Sequence, residues 1–309
     1  MRWKKLGKVY NIPDESISPY GLSHCSNPRA IKISDDLLRV YYCSRNWCNK
    51  SSVFAIDIDI NTFEVKQNHR TPILTYGDEE TFYSDGISLG GFYNINDELY
   101  ITFMGWKTPP GQHWYGQIGR AVVTDDFNLL ITEDLMEPMV PLDDIDSVSL
   151  SYPCVNILSD GSYEMWYGTT KSWQSHANSE MVHILKRAIS SDGRHWDKTN
   201  EVIPYSEGVA QAFSSPTCIQ IGNTLHMWFS YRSGTGEKYR IGHSYKNNDG
   251  DWILDLDNSG IDVSDDPNSW ESEMLCYPFV FECDGEIYML YNGNQYGKSG
   301  FGIAKLDKN

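Results

Sequence analysis

The stretch NPRAIKISDDLLRVYYCSR, residues 27–45, reads as two short strands joined by a turn at SDD, and four further segments share its plan. They are SLGGFYNINDELYITFMGWK, YPCVNILSDGSYEMWYGTTK, SPTCIQIGNTLHMWFSYR and YPFVFECDGEIYMLYNGNQ. Pro28, Pro153, Pro216 and Pro278 open four of the five, and Gly90 stands at that place in the second. The steps between these positions are 62, 63, 63 and 62 residues, so the repeat accounts for the whole 309-residue chain.

Inside each unit the hydrophobic period is two. SYEMWYG and EIYMLYN are aromatic-rich runs of strand length, bounded by turns such as SDG, IGN and CDG. A third run follows in every unit, for example SSVFAIDID and HILKRAISSDG, and a more variable fourth follows in four of them. The fifth unit reaches Asn309 before a fourth run, and KLGKVYNIP near the N-terminus supplies one. Radial repetition of four-stranded sheets, closed by a strand from the other end, leaves only short protected edges. The expected fold is therefore all-β: one five-bladed β-propeller domain over residues 1–309, with about four antiparallel strands per blade and residues 3–12 closing the ring.

Composition narrows the function. With 40% hydrophobic and 13% aromatic residues the chain can bury a large core. No run approaches the roughly 18 apolar residues of a membrane span, and the basic N-terminus lacks the apolar stretch of an export signal. A net charge of -17 disfavours nucleic acid and anionic membrane as partners. The seven cysteines are odd in number and show no CxxC spacing, so neither a disulfide framework nor a zinc site is expected, and a reducing cytoplasm is the expected location. No cofactor or metal is implied.

The five units, the RAISSDGRHW turn at residues 187–196 and the N-P or Y-P openings resemble the five-bladed propellers of glycoside hydrolase families 43, 32 and 130. The resemblance implies a funnel at one face, lined by residues just before each first strand and just after each second strand. Five residues before the proline position stand Ser23, Asp85, Val148, Gln211 and Glu273. Glycosyl transfer commonly uses two carboxyl groups, one as acid and one as base or nucleophile, which makes Asp85 and Glu273 the expected catalytic pair. Asp85 before Gly86 is also an ordinary turn pair. Asp146 and Glu271 are the alternatives. The three acid positions of family 43 fall on Asn27, the SLGG segment and Ser151, so that family's acids are not at their usual places.

After the second strands come Arg45, Lys107, Lys171 and Arg232, with Asn294 in the fifth unit. Four cations at corresponding places, in a chain of 25 basic and 42 acidic residues, suit a phosphate or carboxylate. The plainer reading is strand-end side chains pairing with the many acids. His24, Asn27, Arg29, Gln211, Glu271 and Tyr277 complete the expected binding set. Trp47, Trp106, Trp114 and Trp173 offer faces for sugar rings, whereas Trp166, Trp228 and His226 lie inside strands and read as core. The opening N-P followed by Arg45 is nearer to family 130, where cations bind phosphate and glycosyl groups pass to or from it. The expected activity is thus a glycosidase-like or glycosyl-transferring enzyme. Its ligand would be a small molecule or oligosaccharide, anionic as in a sugar phosphate, a sugar nucleotide or an acidic glycan, in surface-polysaccharide or sugar metabolism. A glycoside phosphorylase-like propeller and a non-catalytic glycan- or protein-binding one are the alternatives.

Overall fold

The computed structural model describes residues 1–12, 18–173, 181–233 and 237–307. The G-x-G run at 234–236 and most of the loop after Trp173 lie outside these residues.

The strands pair in four-stranded antiparallel groups. The first holds β2 (Ser23–Lys32), β3 (Leu37–Arg45), β4 (Ser51–Asp59) and β5 (Val65–Leu74). Next come β6 (Gly86–Ile95), β7 (Glu98–Lys107), β8 (Tyr115–Val123) and the short β9 (Leu129–Leu130). The third group is β10 (Leu150–Ile157), β11 (Tyr163–Ser172), β12 (Val182–Ser190) and β13 (Asp197–Val202). The fourth is β14 (Ala212–Ile221), β15 (Thr224–Arg232), β16 (Arg240–Lys246) and β17 (Trp252–Leu254). The last combines β18 (Cys276–Cys283), β19 (Glu286–Asn292) and β20 (Phe301–Asp307) with β1 (Arg2–Tyr10), in the order β1-β20-β19-β18. The N-terminal strand thus completes the group that the C-terminal end leaves one strand short.

The packing is cyclic. First strands touch in the order β2, β6, β10, β14, β18 and back to β2. Apolar clusters fill the spaces between successive groups, such as Trp166 and Leu185 against Phe213 and Phe229. Another joins the last group to the first through Leu290, Phe301, Tyr42 and Phe54. Because neighbours cover both faces, the middle strands are buried along nearly their whole length, which is why β3 and β11 read as continuous runs instead of alternating ones. Trp166 meets Trp252 edge-on at 5.3 Å, and Trp228 meets Trp3 in the same way, confirming both as core.

A bulge marks every first strand. Pairing skips between Ser26 and Arg29, Leu89 and Phe92, Ser151 and Cys154, Ser214 and Thr217, and Cys276 and Phe279. Proline fits there because a bulged residue needs no ladder donor. The residues before the prolines take left-handed backbone at these bulges, with φ of 53° at Asn27, 40° at Tyr152, 52° at Ser215 and 54° at Tyr277. Gly90 replaces proline because a Cβ there would lie 2.3 Å from the Pro153 carbonyl.

These bulges enclose Arg29. Its guanidinium donates to the carbonyls of Pro28, Leu89 and Gly90 and to Ser215 Oγ, and it lies 5.2 Å from the Phe279 ring. It is 2% exposed and joins β2 to β6, β14 and β18. Burial pushes its pKa down to about 10. The expectation that Arg29 serves a ligand is corrected: its donors are spent on the backbone that the bulges present.

Candidate functional site

A cavity of about 630 Å³ opens where the second strands end. On one side Trp114 and Trp173 pack edge to face at 4.9 Å, with His113 stacked on Trp173 at 4.6 Å. Trp106 also lines the cavity, and its indole fits because residue 86 is glycine: a Cβ there would lie 2.5 Å away. Across from these lie Tyr152, Tyr277, Tyr296 and Tyr239 in edge or tilted contact. The Tyr152 hydroxyl donates to that of Tyr277 over 3.4 Å. Burial raises the pKa of both, with Arg45 opposing the rise at Tyr152. Both rings project from the left-handed positions before Pro153 and Pro278, so the bulges aim them inward.

Arg45 and Arg232 bring the positive charge. Arg45 donates to Asn49 Oδ1 at 3.0 Å, and the Arg232 guanidinium lies 5.0 Å from the Tyr239 ring. His183 lines the cavity as a neutral imidazole, hydrogen-bonded at 2.6 Å to the Ser151 hydroxyl and at 2.6 Å to that of Thr170. Burial pushes its pKa down to about 3. A recess lined by Asn27 shares Arg45, Ser88, Trp106, Tyr152 and Tyr277 with the main cavity. The buried Asn27 Nδ2 and Ser214 Oγ have no protein hydrogen-bond partner. A native interior rarely leaves such atoms unpaired, and here both belong to residues of one concavity.

The expected acids lie elsewhere. Asp85 accepts the Thr108 N–H at 2.7 Å and pairs with Lys50 at 3.3 Å. Glu273 is half exposed and pairs with Lys238 at 2.6 Å. Neither lines the main cavity, nor does any other carboxylate among the described residues. Asp146 is buried against Tyr167, Thr169 and Lys186 as a structural ion-pair centre. Glu271 pairs with Lys5 of β1 at 3.1 Å, so it fastens the N-terminal strand and does not contribute to the cavity.

The expected ring of four cations is reduced to two. Lys107 turns to the Glu79 carbonyl, and Lys171 to the Tyr205 hydroxyl at 2.8 Å. Gln211 accepts the Gly208 N–H, and Asn294 accepts the N–H groups of Glu273 and Met274, so both order turns. Trp47 is 87% exposed and away from the cavity. His24 lines an adjoining chamber. Sequence reasoning missed Ser214, Tyr152, Tyr239 and Tyr296; the repeated Y-P dipeptide was the available signal for Tyr152. No group of His, Cys, Asp and Glu able to hold a metal occurs among the described residues.

No protein-family model matches the chain. Among solved structures, one described as "Glycoside hydrolase" superposes with a TM-score of 0.71 at 14% identity, covering 98% of this chain and 91% of that one. A structure described under "The GH130 family of mannoside phosphorylases contains glycoside hydrolases that target beta-1,2 mannosidic linkages in Candida mannan" gives 0.70 at 12%, covering 99% and 94%. A thermostable family-43 glycoside hydrolase gives 0.60 at 14%, covering 93% and 90%. In fold the chain is thus similar to glycoside hydrolases of families 43, 32 and 130. It belongs to the same family as the Mycobacterium tuberculosis (strain ATCC 25618 / H37Rv) protein named "Uncharacterized protein Rv1502", with 33% identity over 309 residues, 99% of this chain and 100% of the relative.

Proposed function

We propose that residues 1–309 form one five-bladed propeller domain, closed by β1, whose cavity binds a glycosyl ligand bearing a phosphate-like anion and transfers the glycosyl group to or from it. The observation that carries this reading is the lining of Arg45 together with Asn27 Nδ2 and Ser214 Oγ, which lack protein partners. Arginine and neutral donors match phosphate oxygens, while Trp106, Trp114 and Trp173 suit the apolar faces of a sugar ring. Transfer involving phosphate asks for fewer carboxyl groups than ordinary hydrolysis does, and the lining offers cationic and neutral donors for the phosphate. Hydrolysis uses one carboxyl to protonate the leaving oxygen and another to activate water or attack the anomeric carbon. A phosphate takes over one of these roles, as attacking or leaving group, so a single acid or base suffices, to protonate the other oxygen as it leaves or deprotonate it as it attacks. Asp85 and Glu273 are the acids to test within this reading, since each contacts a lining side: Asp85 through Thr108 and Glu273 through Lys238. The free cysteines fit a reducing compartment.

Titration calorimetry with inorganic phosphate, hexose 1-phosphates and free hexoses tests the ligand class. Phosphate-bearing ligands should bind, and Arg45→Met should cost about 2 to 5 kcal/mol of their affinity if the contact is desolvated. Equal binding of neutral oligosaccharides with no response to phosphate would favour the second reading, a non-catalytic glycan-binding propeller. That alternative draws on the same aromatic wall. Once a substrate is in hand, Asp85→Asn and Glu273→Gln should each lower turnover by about 10²-fold or more if they form the acid pair.

A further inference from the structure

The main cavity does not end at Arg232 and Tyr296. Both residues also line a second chamber of about 470 Å³, whose other described walls are His24, Glu237, Lys238, Met274, Gln295 and Lys298. Lys298 makes no ion pair among the described residues, although the chain carries 42 acids against 25 basic residues. Lys238 is paired with Glu273 at 2.6 Å; Arg232 and Lys298 are the chamber's other cations and Glu237 its own carboxylate. Burial, with smaller contributions from Arg45 and Lys298, pushes the pKa of His24 down to about 4. It is therefore an uncharged ring set in a positive field, with Nδ1 hydrogen-bonded to Ser23 Oγ at 2.8 Å. Gln295 and Tyr296 are consecutive left-handed residues, with φ of 54° and 58°, in the turn that leads into Lys298. Strain of this kind persists where surrounding contacts over-determine it, and it concentrates at ligand sites.

We infer that the second chamber receives a second phosphate linked to the first, which makes the ligand class a glycosyl diphosphate. This rests on the reading that the main cavity takes a phosphate. Two phosphates joined through one bridging oxygen must lie side by side, and Arg232, common to both chambers, stands at the junction such a pair would cross. Lys298 supplies the outer charge and His24 a neutral contact. The group beyond the second phosphate is either a nucleoside or an isoprenoid.

Calorimetry on the full chain compares inorganic phosphate, pyrophosphate, UDP-glucose and geranyl diphosphate, with wild type, Lys298→Met and Arg45→Met. Wild type should bind pyrophosphate at least ten times more tightly than phosphate. Lys298→Met should remove that advantage while changing phosphate affinity by less than about twofold, and Arg45→Met should weaken both. Tighter binding of UDP-glucose than of geranyl diphosphate assigns the nucleotide-linked source, and the reverse assigns the lipid-linked one. If wild type binds phosphate and pyrophosphate equally, or the advantage survives in Lys298→Met, the diphosphate inference falls and the phosphate reading stands. If no phosphate compound binds, both fall.

Discussion

Arg29 shows how far a residue's role depends on the backbone around it. Beside Pro28 in the sequence it read as a ligand for an anion. The bulge turns it instead into the centre, where carbonyls and Ser215 occupy its donors. Arg29→Met should therefore lower stability by about 3 kcal/mol or more, because the carbonyls it serves lose their donors while remaining buried; a urea midpoint equal to wild type would contradict this. His183 makes the opposite kind of prediction. Its folded pKa of about 3 lies below the ordinary histidine value of 6.5, so the unfolded chain takes up the proton first on acidification. Its contribution is complete above about pH 6.5 and declines through the window down to about pH 3. The slope is about 1.4 kcal/mol per pH unit for one such proton. Urea unfolding between pH 7 and 4 should show this slope reduced by about one proton in His183→Asn, and parallel profiles would refute the assignment.

At the level of the strand, period and repeat spacing made the elements readable, because a pattern spread over five copies averages out local exceptions. The N-terminal strand was legible for the same reason: the last unit lacked a partner. Its anchoring is specific, with Trp3 edge-on against Trp228, the Trp3 N–H on the Gly260 carbonyl at 2.9 Å, and Lys5 on the buried Glu271. Deleting residues 1–12 should lower the melting temperature by about 10 °C or more, since about 5 kcal/mol or more of packing and pairing is lost at about 2 °C per kcal/mol for a chain of this size. An unchanged melt would remove β1 from its assigned place. Harder to read were the two-residue skips at the X-Pro positions. A dipeptide states that proline is present, not that the residue before it adopts left-handed backbone. Tyr152 was missed for that reason.

For the molecule as a whole, which strand ends meet at the cavity was readable, and where their side chains turn only partly so. Arg45, Trp106, Trp173, Arg232 and Tyr277 come together as expected, because strand ends fix where each Cα lies. Lys107 and Lys171 leave because long stems choose their own partners, a matter decided by Glu79 and Tyr205, well away in sequence. Lys298 went unseen because a turn, not a strand, delivers it. The remaining cations form a local positive spot on a chain of net charge -17. Phosphate affinity should therefore fall as salt rises from about 0.05 to 0.5 M, with exposed charges screened over roughly 8 to 10 Å near 0.1 to 0.15 M; affinity independent of salt would argue for a neutral ligand. The pairing of β1 with β20 also sets an order on synthesis. β1 is made before its partner β20, so Trp3 and its neighbours must wait for residues 301–307 before their sheet exists. A nascent chain stalled short of that point carries two unpaired edges, β1 and the free side of β19, each open to pairing with another chain.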